Sequence, residues 1–92
     1  MTGGFHGAIA ALAGKRSGKA YPFEQGETVS LGEGSACNIC YDEKRCEYQV
    51  TPDAPRSVLL KSGQPLGEGR TYCLPRGAEI TLTEDNSRYR LV

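Results

Sequence analysis

The sequence VSLGEGSACNICYDEKRCEYQV, residues 29–50, decides the fold. Apolar side chains recur at every second position on both sides of its glycine turn and of its charged centre. The pairs are Val29/Leu31, Ile39/Tyr41 and Tyr48/Val50. A period of two turns one side of a strand towards a core and the other towards water. The stretch therefore predicts short strands joined by a glycine turn and a charged turn.

The rest of the chain follows the same pattern. Turn signals rich in Gly, Pro, Asp and Ser recur every few residues, and no segment has a 3.6-residue period long enough for a helix. The predicted strands cover residues 5–13, 19–23, 28–31, 38–41, 47–51, 57–61, 71–74, 79–83 and 88–92. Short strands at this spacing predict an all-β sandwich of antiparallel strands. A chain of 92 residues builds a single domain, residues 1–92, with one core.

Charge and hydropathy limit the partners. The chain has 11 basic and 11 acidic side chains, so its net charge is zero and it lacks the clustered basic face that nucleic acids require. Its longest apolar run, residues 8–13, is too short to span a membrane. The N-terminus lacks the basic start of a signal peptide. We therefore expect a cytoplasmic protein that binds neither nucleic acid nor membrane.

The cysteines offer a second interpretation, a small zinc-stabilised β domain with a structural four-thiolate site. Its ligands are Cys37, Cys40, Cys46 and Cys73. Their spacing lacks the two close pairs of a zinc ribbon. On a strand, residues three apart also point to opposite faces, about 10 Å apart along the chain. The predicted register turns Cys37 and Cys46 towards the core, and Cys40 and Cys73 outwards, so we expect no metal and no cofactor in the preferred interpretation.

No other group of residues indicates catalysis. The single histidine, His6, has no evident nucleophile or carboxylate partner in the sequence and reads as exposed. The glycine loop at Gly32 precedes a strand, whereas a phosphate-binding loop precedes a helix. The acidic pairs 42–43 and 84–85 stand in turns beside basic residues. We therefore expect a protein that is not an enzyme.

The order of these motifs resembles the forkhead-associated (FHA) domain family, from about residue 8 to the end. The matching positions are Gly18-Lys19, Tyr21-Pro22-Phe23, Val29-Ser30-Leu31-Gly32 and Cys37-Asn38-Ile39, together with the closing hairpins of residues 63–92. The resemblance implies a small FHA-type β-sandwich that acts as a protein-interaction module.

The residues that bind phosphothreonine in that family are altered here. Glu33 stands where the family has a phosphate-binding Arg, whose planar fork suits phosphate oxygens. Asp42 replaces the loop Ser and Arg45 replaces the His, with Lys44 between them, and the family's later loop, which holds the peptide backbone, has no counterpart here. The resemblance therefore implies a degenerate site, Glu33, Asp42, Lys44 and Arg45, without phosphothreonine recognition.

Trimmed loops leave strand edges as the surface available to a protein partner, because an edge carries unpaired N–H and C=O groups. The two candidate edges are residues 5–13, which are apolar and small, and residues 57–61. The composition of residues 5–13 is equally consistent with an inner strand of the sandwich. Either edge predicts weak homo-oligomerisation.

Overall fold

The structure is a computed structural model that describes residues 6–14, 17–32, 37–84 and 86–92. These residues contain nine strands and no helix. The strands are β1 Ala8–Ala13, β2 Ala20–Pro22, β3 Thr28–Leu31, β4 Cys37–Asp42, β5 Glu47–Pro52, β6 Val58–Leu60, β7 Tyr72–Pro75, β8 Glu79–Leu82 and β9 Ser87–Leu91. Each overlaps one predicted strand, so the all-β prediction is confirmed. The described residues include no helix of the length and apolarity needed to cross a bilayer.

The strands form two antiparallel sheets that pack face to face as a sandwich. One sheet has five strands in the order β2-β1-β9-β8-β6, and the other has four in the order β3-β4-β5-β7. The register of the four-stranded sheet runs without a break, and Ile39 of β4 lies opposite Val29 of β3 and Val50 of β5. The pairing of β1 with β9 contains one irregularity, between Ala11 and Ala13. Because the register keeps the alternating apolar positions of paired strands on the same face, the alternation seen in the sequence becomes an inner surface.

The inner faces of both sheets make one shared core. Ile9 and Ile80 of the five-stranded sheet are fully buried, and so are Ile39 and Val50 of the four-stranded sheet. Complete burial of an aliphatic side chain contributes about 1.5–3 kcal/mol relative to exposure. Neither sheet alone could cover its apolar side, so the two sheets stabilise each other.

Tyr48 of β5 joins the two sheets through its hydroxyl group. The side chain is fully buried, and its hydroxyl oxygen accepts a hydrogen bond from the Ala8 amide of β1 at 2.8 Å. The hydroxyl proton points to the carbonyl oxygens of Ala8 and Val92. Burial raises the pKa of this phenol above its ordinary value. A buried polar group is tolerated here because backbone groups of the opposite sheet satisfy it.

Gly7 marks a close approach between the sheets, just before β1. Its φ is 101°, a conformation that glycine adopts easily and other residues rarely do. A Cβ atom at this position would lie 2.6 Å from Cβ of Tyr41, on β4 of the opposite sheet. The chain therefore needs glycine here for both its backbone and its packing.

The strand order decides between the two interpretations of residues 5–13. The edge interpretation is wrong, because β1 lies inside its sheet, with β2 on one side and β9 on the other. Residues 1–5 lie outside the described part of the chain. The apolar character of β1 is typical of an interior strand, because both of its sides are already paired and need no charged residue to prevent further pairing. The second candidate, which corresponds to β6, does lie at an edge.

Candidate functional site

Three of the four predicted site residues lie together in the turn between β4 and β5. The Asp42 side chain accepts hydrogen bonds from the amides of Lys44 at 3.0 Å and Arg45 at 3.3 Å. This arrangement is an Asx-type turn, in which a side-chain carboxylate takes the place of a backbone acceptor. Asp42 therefore stabilises the turn, and its carboxylate is already engaged by these two backbone amides.

Carboxylates surround the single guanidinium of this turn. Nε of Arg45 lies 3.9 Å from Asp42, and its Nη1 lies 4.0 Å from Glu47. On the other side of the turn, Nδ1 of His6 lies 3.1 Å from Oε2 of Glu43. Two carboxylates thus lie beside Arg45, and a third, that of Glu43, is paired with His6. We name residues 42–47 the acidic turn.

The fourth predicted residue, Glu33, lies outside the described residues. The connection that contains it leaves β3 after Leu31 and enters β4 near Cys37, which pair with each other. Asp42 ends β4 at the opposite end, where it pairs with Glu47. A strand of this length extends about 17 Å at about 3.4 Å per residue. The described residues therefore place the acidic turn and the start of this connection at opposite ends of β4.

The cysteines are distributed over different parts of the sandwich. Cys37 is buried in the core, as predicted, and Cys73 is exposed on β7, as predicted. Cys40 is half-buried on the outer face of the four-stranded sheet, where its thiol donates to Gln49 at 3.5 Å. No group of three or more His, Cys, Asp or Glu side chains within the described residues is placed to hold a metal ion.

The prediction that Cys46 faces the core is wrong. Cys46 is exposed and belongs to the acidic turn, because β5 begins one residue later at Glu47. Its φ of 53° is left-handed, which breaks the alternation that the prediction extended backwards from Tyr48. Strand periodicity assigns a face only within a strand.

Three of the thiols are held in the protonated form. Burial, with a smaller effect of the Asp53 charge, raises the pKa of Cys37 to about 12. Desolvation and then the Asp42 charge raise the pKa of Cys40 above its ordinary value. Desolvation raises the pKa of Cys73, and the adjacent Glu47 carboxylate raises it further. A protonated thiol is a poor nucleophile, since the thiolate is the reactive form.

The outer face of the four-stranded sheet carries hydroxyl and amide groups that bond to one another. The Ser30 hydroxyl donates to Asn38 at 2.7 Å, and the Asn38 amide donates to Asp53 at 3.0 Å. Thr51 and Thr71 share a hydrogen bond of 2.9 Å. The sequence pattern does not single out this face, although its residues lie at the polar positions of the same alternation. Strand order was the missing information.

The outer face of the five-stranded sheet carries charged groups instead. Nη2 of Arg90 donates to Oε2 of Glu79 at 3.1 Å, and Nζ of Lys61 lies 3.9 Å from the same oxygen. This hydrogen bond from Arg90, helped by the nearby cations, holds the pKa of the Glu79 carboxyl below its ordinary value. Arg88 adds a further positive charge to this face.

Comparison with known proteins identifies no relative of this chain. No protein-family model matches the sequence, and a search of curated proteins finds no match either. Function is therefore inferred from the sequence and from the geometry described above.

Proposed function

We propose that this chain is a non-catalytic protein-interaction module of the FHA type that does not recognise phosphothreonine. Two observations support it: the antiparallel two-sheet sandwich is the architecture that the resemblance implies, and the acidic turn brings together three of the four residues that, by the same resemblance, stand in the place of a phosphate site. The acidic turn is the main support for the proposal, because its charges affect which ligands the module can bind.

The charges of the acidic turn oppose a phosphate. Arg45 is the cation best placed to hold one, but Asp42 and Glu47 already lie within 4.0 Å of it. Two like unit charges about 4 Å apart repel by about 4 kcal/mol at an effective dielectric constant of about 20. Solvent screening reduces this value at an exposed turn, but the sign remains unfavourable.

The non-catalytic part of the proposal rests on where the nucleophilic side chains lie. Cys37 is enclosed in the core, and Cys73 lies beside the Glu47 carboxylate that raises its pKa. His6 contacts Glu43 at the surface, with both side chains about one-third exposed. Nucleophilic catalysis needs a nucleophile and a base within hydrogen-bonding distance, and these positions favour a binding surface over an active site.

A titration with phosphopeptides tests the proposal. An array of phosphothreonine peptides and their unphosphorylated forms is probed at low salt, and hits are measured by calorimetry. We expect no binding that depends on the phosphate. The Glu33→Arg variant should behave like the wild type, because the carboxylates of the acidic turn remain. Saturable binding of a phosphopeptide to the wild type, with the unphosphorylated form silent, would contradict the proposal.

A further inference from the structure

The two sheets have four strands at their edges: β2 and β6 in one, β3 and β7 in the other. An edge strand exposes backbone N–H and C=O groups that another chain can pair with, and natural proteins usually protect such edges with proline, charge, bulges or a covering segment. Comparing how each edge is protected therefore identifies where a partner strand could add.

The edge of β6 is covered by the chain itself. After the turn at residues 61–63, the chain folds back beside the strand. The Leu60 amide donates to the Gln64 carbonyl at 2.9 Å, and the Leu66 amide donates to the Val58 carbonyl at 3.0 Å. Pro65 lies opposite Leu59 in this short bridge. The second edge predicted from the sequence is therefore already paired.

Prolines shorten two other edges. β2 has three residues and ends at Pro22, and β7 has four residues and ends at Pro75. Proline has no N–H group to donate to an added strand. Neither edge offers an uninterrupted row of backbone groups.

The edge of β3 has none of these protections in the described part of the chain. Its sequence, Thr-Val-Ser-Leu, contains no proline and no charge, and it pairs residue by residue with β4 on one side. No other described segment forms a backbone hydrogen bond with its free side. Val29 is half-buried and points towards the core side of this edge, beside the buried Leu31.

We propose that the free edge of β3 binds an extended segment of a partner protein, which adds to the four-stranded sheet as an antiparallel strand. This inference rests on the proposed function and names the part of the module that makes the contact. Backbone hydrogen bonds supply the pairing, and alternate side chains of the partner select it. Apolar side chains of the segment lie beside Leu31 and Val29, and small polar ones lie beside Thr28 and Ser30.

Negative charge in the turn before β3 favours basic residues at one end of the added strand. The turn before β3 presents two exposed acidic residues, Glu24 and Glu27, and the Glu27 carboxylate accepts a hydrogen bond from the Glu24 amide at 2.8 Å. In an antiparallel arrangement these carboxylates face the C-terminal end of the partner segment. The partner segment therefore carries apolar residues at two alternate positions, and a Lys or Arg two residues after the second of them. A second copy of β3 lacks this feature, because residues 24–34 contain no basic residue.

The probe is the peptide acetyl-Thr-Val-Thr-Val-Thr-Lys-Lys-amide, titrated into ¹⁵N-labelled full-length protein at low salt. We expect the amide signals of residues 28–31 to shift and their hydrogen exchange to slow as the peptide saturates. Each exposed ion pair should strengthen binding about two- to five-fold. The same peptide ending in Glu-Glu, and the Glu27→Gln variant with the Lys peptide, should both bind more weakly. Glutamine keeps the oxygen that accepts from Glu24, so the turn is preserved.

Proline substitutions locate the pairing edge. Consecutive strand residues direct their N–H groups to opposite sides, so one of Val29→Pro and Ser30→Pro removes only an outward donor. The variant that retains the native spectrum should lose peptide binding. Equal binding by that variant would overturn the inference, as would shifts confined to the acidic turn, or no shift at millimolar peptide. Slow exchange of residues 28–31 without peptide, together with concentration-dependent sedimentation, would assign the edge to a second copy and also overturn it.

A phosphorylated form of the peptide, with phosphothreonine at its central position, separates this inference from the proposed function. Equal binding of both forms at β3 supports both. Binding of the phosphorylated form alone contradicts the proposed function. Absence of binding by either form contradicts only the β3 edge.

Discussion

The two sheets of this sandwich share one core but present different outer surfaces. The five-stranded sheet displays cations around Glu79, and both of its edges are closed, by Pro22 and by the segment beside β6. The four-stranded sheet displays hydrogen-bonded hydroxyl and amide groups, and no other described segment pairs with the outer edge of its strand β3. Inner positions are constrained by packing, whereas outer and edge positions are free to differ. This difference between the two sheets is the basis for proposing that a partner segment adds to the four-stranded sheet.

Core truncation tests whether the two sheets depend on each other equally. Ile39→Ala in the four-stranded sheet and Ile80→Ala in the five-stranded sheet should each lower the free energy of unfolding by about 2–5 kcal/mol, because each leaves a cavity in the same core. Both wild-type side chains are fully buried. Urea denaturation followed by circular dichroism measures the loss.

Thr28→Ala, on the exposed outer face, is the control and should change the free energy of unfolding by no more than about 0.5 kcal/mol. If Ile80→Ala melted the five-stranded sheet and left the four-stranded sheet folded, the shared core would be disproved.

A glycine pair tests the close approach of the sheets. Gly7→Ala and Gly26→Ala both place a side chain at positive φ, 101° and 73°, which costs about 1–2 kcal/mol. Only at Gly7 would the new Cβ meet another atom, Cβ of Tyr41 at 2.6 Å; at Gly26 nothing lies within 4 Å. Gly7→Ala should therefore be the more destabilising by about 1–3 kcal/mol. Equal melting temperatures for the two variants would show that the sheets do not meet tightly at this point.

Removal of one hydroxyl tests the polar connection between the sheets. Tyr48→Phe leaves the part-buried Ala8 amide without its side-chain acceptor, and we expect a loss of about 1–3 kcal/mol. Tyr21→Phe is the matched control, since Tyr21 is a half-buried side chain whose hydroxyl makes no hydrogen bond within the described residues. Thermal unfolding of both variants is the measurement. A Tyr48→Phe protein as stable as the Tyr21→Phe protein would mean that the hydroxyl contributes nothing to joining the sheets.

The smallest expected effect concerns the charged face of the five-stranded sheet. The folded-state pKa of Glu79 is depressed by the hydrogen bond from Arg90. Its ion pair therefore stabilises the fold above the ordinary glutamate pKa of about 4.3, and this contribution is lost as the pH falls through the lower folded value. Glu79→Gln should remove this contribution to the loss of stability at acid pH. Unfolding curves recorded from pH 7 to pH 3 for both proteins measure it, and superimposable pH profiles would contradict it.

Much of the fold could be predicted because alternation is a local property. Residues 28–31 form β3 as expected, and the neighbouring predictions fall short of β4 by one residue at each end and of β5 by one residue at its C-terminal end. The burial of Cys37 followed from the same period. Cys46 failed because its left-handed backbone lies outside the strand. The acidic turn was recognised as a charged loop, but its ion pair between His6 and Glu43 joins residues far apart in the chain.

The sequence alone determined which segments are strands and which side of each strand enters the core, because period-two alternation and turn residues act over a few neighbours. Tertiary structure decided the order of the strands, and with it the interior position of β1, the covered edge of β6 and the edge of β3 that no other described segment pairs with. It also decided that the Tyr48 hydroxyl meets Ala8 and Val92 of the other sheet. These outcomes depend on which distant backbones pair and pack, and a local pattern of apolar residues carries no information about its partner.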